Sequence, residues 1–104
     1  VGTLMNLTKV ACTLACLALL SPAIAGQPSA AAMAATCAGC HGTHGRLELR
    51  EFVPLAGMRE ADFVRAMREF RAGTRPSTLM GHVANGFSDE EIEAMARLFA
   101  RSRP

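Results

Sequence analysis

Two cysteines and a histidine fall within five consecutive residues, Cys37-Ala38-Gly39-Cys40-His41, and three kinds of chemistry use such a cluster. A structural zinc site takes four ligands, typically as two spaced pairs. This sequence has no second C-x-x-C and no H-x3-H, so zinc would have to recruit His44 and His82 from scattered positions. A thioredoxin-like dithiol belongs at a strand-to-helix junction in a βαβ unit, whereas this motif follows an Ala-rich run with helical character. The third use is covalent haem attachment, for which C-x-x-C-H is the recognised signal. At this spacing the Cys37 and Cys40 thiols lie on adjacent faces of one helical turn, placed to form thioethers with two vinyl groups. His41, next in sequence, is then held beneath the iron as the proximal ligand. Haem attachment is the expectation, with one covalent haem c for the one motif.

A second axial ligand has to come from a distant part of the chain. Met67 and Met95 fall on apolar helical stripes, where core packing accounts for them. Met33 precedes the motif on the same helix and does not easily reach the opposite face of a ring. Met58 lies just before the second helix. Met80 stands in Arg75-Pro76-Ser77-Thr78-Leu79-Met80-Gly81, a loop that could carry a thioether over the ring, with glycine allowing close backbone approach. Met80 is therefore the expected distal ligand and His82 its main rival; His44 is too close to His41 in sequence to cross the ring. Arg75 could meet a haem propionate bidentately, or stand as a solvated loop arginine. Pro54 could fix a backbone carbonyl that accepts the Nδ1 proton of His41.

These groups need elements to position them, and the composition bounds what is available. The chain has 104 residues, half of them apolar, but the apolar residues are unevenly spread. Residues Val10 to Leu20 form an uncharged run behind Lys9 and ahead of Ser21-Pro22-Ala23-Ile24-Ala25. A basic start, a short apolar stretch and an A-x-A ending describe a secretory signal peptide, and the run is short for a membrane-spanning helix. The expectation is a signal peptide over 1–25, cleaved after Ala25, and a domain over 26–104 exported to the periplasm. The competing reading is an uncleaved anchor or a buried helix.

Cleavage would remove Cys12 and Cys16 and leave a domain small for a self-sufficient core. Chains of this size usually need a staple, and one disulfide across so short a loop would organise little. Ten Arg against nine Asp plus Glu after residue 25, with no Trp or Tyr, give no support for nucleic-acid binding. After cleavage nothing in 26–104 calls for a membrane.

Three helices are expected. The first runs from Ser29 to about Cys40, Ala-rich behind Pro28. The second spans about Glu60 to Ala72, with Phe63, Ala66, Met67 and Phe70 on one face, Arg65, Arg68 and Arg71 mostly turned away, and Gly73 at the left-handed cap position. The third begins at Ser88, where Glu91 completes a capping box and Phe87 with Ile92 a hydrophobic staple. Ile92, Met95, Ala96 and Phe99 form its stripe, and Glu93, Arg97 and Arg101 offer i, i+4 pairs. Segments 41–59 and 74–86 read as loops. The fold class is all-α, with three main helices and long loops. Such short stripes fill little of a core, and a large apolar group at the centre would resolve the shortage.

The chain resembles class I cytochromes c and, more narrowly, the cytochrome subunit of flavocytochrome c sulfide dehydrogenase. The narrower resemblance rests on Cys37 to Gly45 (C-A-G-C-H-G-T-H-G), on F-x-x-x-M-x-x-F-x-x-G from Phe63 to Gly73, and on S-T-L-M-G-H-V-A-N-G-F-S-D-E-E-I-E-A-M-A-R-L-F from Ser77 to Phe99. It implies a small class I cytochrome c-like fold around one haem, with Cys37 and Cys40 as thioether sites, His41 as proximal ligand and Met80 as distal ligand. It implies electron acceptance from an FAD-containing, sulfide-oxidising flavoprotein chain and delivery to a downstream acceptor, with no substrate-oxidising site in this chain. A free soluble periplasmic shuttle of the small cytochrome c type is the alternative.

Overall fold

The computed structural model describes residues 26–49 and 51–104. The apolar run and its expected cleavage point lie outside the described residues. Among the described residues the secondary structure is entirely helical, in five α-helices and one 3-10 turn. This is the all-α class read from the sequence, and its plan of short helices and long loops is consistent with a class I cytochrome c. None of these helices is long and apolar enough to cross a membrane.

Helix α1, Ala30–Ala35, starts at Ser29, whose side chain accepts the Ala32 N–H at 3.1 Å. A single helix from Ser29 to Cys40 does not form, because Thr36 interrupts it. The Thr36 hydroxyl donates to the Met33 carbonyl at 2.7 Å, and the Cys37 N–H bonds back three residues to Ala34. A hydroxyl that competes for helix carbonyls in this way bends the chain. The chain then restarts as the single turn α2, Ala38–His41, with Cys37 at its N-cap.

Helix α3, Glu60–Ala72, has the expected bounds and ends at Gly73 with φ 74°. Arg59 supplies no side-chain cap; it pairs instead with Asp62 at 2.6 Å. Helix α4, Met80–Ala84, occupies part of the segment read as a loop. Helix α5, Asp89–Arg101, carries the full capping box, with Glu91 N–H on Ser88 Oγ at 3.2 Å and Ser88 N–H on Glu91 Oε2 at 2.9 Å.

The core forms where α5 meets α1 and α3. Ile92, Met95 and Ala96 are fully buried, Phe99 is nearly so, and Met33 and Ala34 of α1 and Phe63 and Met67 of α3 pack around them. The Phe63 and Phe99 rings lie 5.5 Å apart and tilted, an arrangement that adds to simple area burial. Ala84 of α4 is buried in the same cluster.

Charge reinforces the α3–α5 contact. Arg68 and Arg71 do not simply face away: Arg68 reaches Asp89 at 3.6 Å and Glu93 at 3.3 Å, and Arg71 binds Asp89 and the Phe87 carbonyl. Glu93 thus pairs across helices and not with Arg97. The Arg71 guanidinium, hydrogen-bonded to Asp89, holds that carboxyl below its ordinary 3.8, and Arg68 adds to the effect. A folded-state value below the unfolded one gives a contribution that is present above the unfolded value and lost as pH falls through the folded one. Asp89→Asn is therefore expected to lower the urea midpoint at neutral pH, and the gap from the natural protein should close as the pH drops below 3.8. Added salt should narrow the same gap, since these side chains are exposed.

Candidate functional site

One apolar cavity gathers residues from five parts of the chain. Cys37 and His41 border it from the α2 turn, and Val53, Leu55 and Met58 from the following loop. Phe63, Ala66, Met67 and Phe70 form the α3 wall, while Met80 and Val83 come from α4 and Arg75 from the segment between them. The stripe of α3 expected to fill the core therefore serves two surfaces, with Phe63 and Met67 both packed in the core and exposed to the cavity.

The first wall is local in origin. Cys37 and Cys40 flank one helical turn, Cys37 at the cavity and Cys40 outside its lining, and the His41 N–H closes that turn on the Cys37 carbonyl at 2.9 Å. Both thiols are free; Cys37 is half-buried and Cys40 exposed. Burial pushes the Cys37 thiol up from its ordinary 9.0, a shift partly offset by the Thr36 hydroxyl and increased by Cys40. His41 Nδ1 lies 2.6 Å from the Val53 carbonyl oxygen. A carbonyl only accepts, so Nδ1 carries the proton and Nε2 keeps its lone pair for another bond. The expected Pro54-dependent acceptor is thus the carbonyl of Val53, whose peptide bond runs to the Pro54 nitrogen. Phe52 stands edge-on to the His41 ring at 6.1 Å between centroids.

Backbone pins bring Val53 to this place. The Gly45 carbonyl accepts the N–H groups of Leu55 at 2.9 Å and Ala56 at 3.0 Å, and the Gly57 N–H donates to the Phe99 carbonyl at 2.8 Å. Arg46 Nε reaches the Arg103 carbonyl at 2.8 Å. Gly45 has φ 75°, and a Cβ there would fall 2.9 Å from the Ala56 nitrogen and the Leu55 Cβ and 3.0 Å from the Phe99 ring. Both the conformation and the space call for glycine.

On the other side, Met80 opens α4 and is half-buried. Gly81 lies beside α3, where a Cβ would sit at ordinary contact distance, 3.4 Å from the Phe70 carbonyl oxygen. Val83 was not singled out from the sequence, although Met80, Val83 and Ala84 keep the i, i+3, i+4 spacing of an apolar helical face. Arg75 stands at the cavity, held by Glu69 Oε2 at 2.9 Å and stacked 5.4 Å over the Phe70 ring. His82 lines a separate polar groove with Arg71 and Asn85, and His44, at φ 57°, lines a mostly apolar one beside Leu98 and Phe99. Neither borders the cavity. Among the described residues no three His, Cys, Asp or Glu side chains are grouped to hold a metal ion.

No family model matches the chain. It is similar to a curated protein of Stutzerimonas stutzeri (strain A1501), "Thiosulfate dehydrogenase electron acceptor", with 42% identity over 52 residues. The match takes in 47% of this chain and 24% of the relative, so it spans about a quarter of that protein's length.

Gly45→Ala tests whether the pinned loop and the site are one unit. It is expected to destabilise the protein by more than about 1 kcal/mol in chemical denaturation, because a side chain at positive φ adds strain to a steric conflict.

Proposed function

We propose that this chain is an exported, periplasmic c-type cytochrome that transfers single electrons through one covalently held haem. The observation that carries this reading is the meeting of Cys37, His41 and Met80 at one apolar cavity, with His41 Nδ1 already committed to the Val53 carbonyl. The donor chemistry fits the group: two thiols one turn apart, an imidazole with Nε2 available and a thioether arriving from a separate element. Free space in the cavity interior is about 120 Å³, well under the roughly 300–1,000 Å³ of small-molecule sites. The fit therefore rests on the donor set and not on the cavity volume.

Bound there, the haem supplies a one-electron iron couple. Cys37 and Cys40 would hold it through thioethers, and His41 and Met80 would supply ligands to its iron. The Val53 carbonyl fixes the imidazole orientation and raises its donor strength. The Met80 thioether favours a higher potential than a second nitrogen donor would. Phe63, Met67 and Phe70 keep water from the centre, another influence on potential. Arg75 stands where it could meet a propionate, in competition with Glu69 for the guanidinium.

The electron donor is read as an oxidoreductase acting on a reduced sulfur compound. The motifs from Cys37 to Gly45 and from Ser77 to Phe99 favour the FAD-containing flavoprotein of a sulfide dehydrogenase, with this chain as its accepting subunit and a downstream acceptor beyond. The relative's name favours a second reading, a thiosulfate dehydrogenase as donor. A freely diffusing shuttle is the third.

A pyridine haemochrome spectrum is expected to show one covalent haem. In the oxidised holoprotein, Met80→Ala should abolish the weak red methionine-to-iron charge-transfer band; survival of that band would remove Met80 from the site. Isolation of the native protein separates the donors. A co-isolated flavin-containing chain supports the sulfide reading, a thiosulfate-oxidising enzyme the second, and a lone monomer the shuttle.

A further inference from the structure

Helix α4 carries Met80 to the cavity but has only five residues, far too few to sustain itself in water. Leu79 at its N-cap makes no side-chain cap bond and is 54% exposed. Packing is tightest at the far end, where Ala84 is completely buried, while Met80 at the near end is only half-buried. What holds the near end converges on Gly81, the residue directly after Met80. Its N–H donates to Ser77 Oγ at 3.0 Å, and its carbonyl accepts from Asn85 Nδ2 at 2.8 Å.

We infer that Ser77 and Asn85 are positioning residues that clamp the peptide groups of Gly81 and thereby hold the Met80 thioether at the cavity. The inference rests on the proposed haem site. Ser77 stands four residues before Gly81 and supplies the acceptor that a preceding helical turn would have offered to this first-turn N–H. Asn85 stands four residues after and takes the carbonyl at the other end. Gly81 also lies beside the Phe70 carbonyl, so the clamped residue sits where α4 meets α3. Met80 is left with its backbone fixed by its neighbour and its side chain free to reach inward. A thioether is a weak neutral donor, so its hold on iron depends on how completely the backbone is set beforehand.

The test is a titration of the oxidised holoprotein with imidazole, which competes for the sixth position, followed through loss of the weak red band. An entering ligand gains apparent affinity in proportion to the methionine-free population. One hydrogen bond contributes roughly 0.5–1.5 kcal/mol net. Ser77→Ala combined with Asn85→Ala is therefore expected to tighten apparent imidazole binding about tenfold. Ser77→Thr in an otherwise natural chain, which keeps the hydroxyl, should bind imidazole nearly as the natural protein does. Ser88→Ala is the matched control: it breaks the α5 capping box and lowers the thermal midpoint while leaving imidazole affinity unchanged. Unchanged affinity in the double variant, or an equal gain in Ser88→Ala, overturns the clamp. A natural holoprotein without the red band, spectrally indifferent to Met80→Ala, overturns the axial-ligand reading and the clamp with it.

Discussion

The arrangement depends on Phe99. Its ring, 2% exposed, packs on Phe63 and closes against Gly45, while its carbonyl receives the Gly57 N–H. One residue of α5 therefore touches the α3 wall of the cavity and both glycines that bracket the long loop. Apolar contact supplies the attraction, and the close backbone approach at Gly45 converts it into a fixed position for Val53. The orientation of the His41 ring is in this sense a consequence of packing on the far side of the loop.

The two sides of the cavity are held by different physics. Cys37, Cys40 and His41 share one helical turn, so their mutual placement is set by helix geometry over a few residues. Met80 comes from an element that cannot stand alone and is placed by tertiary support from α3 and by side-chain bonds at Gly81. A short-range motif thus faces a long-range one. The second is the more sensitive to sequence changes away from the cavity.

This difference governs how much could be read without coordinates. Helices α3 and α5 were legible because their stripes, Gly73 and the Ser88–Glu91 box are local signals that packing reinforces. Helix α4 was not, since its period is carried by Met80, Val83 and Ala84 alone while Gly81 and Gly86 around them read as loop. The break at Thr36 was hidden in an Ala-rich run, decided by one hydroxyl choosing the Met33 carbonyl. Arg68 and Arg71 looked solvent-facing from helical spacing, yet they meet the acidic first turn of α5, a contact between segments that no single-helix pattern encodes. At the cavity, Cys37, His41 and Met80 were legible as residue types with chemistry. The Val53 carbonyl was visible only indirectly, through Pro54.

The two hydrogen bonds accepted by the Gly45 carbonyl make the loop behind it a closed bight, tied at its base by Leu55 and Ala56. Leu49, Phe52 and Val53 on it face solvent. The entropic cost of closing such a segment grows slowly, about 0.6 kcal/mol for each doubling of length. Residues between the tie points could thus be inserted or deleted at small cost while the base stays tied. In this region the fold counts knots, not residues: its length is free to drift as long as the tie points at Gly45 and Gly57 keep their place.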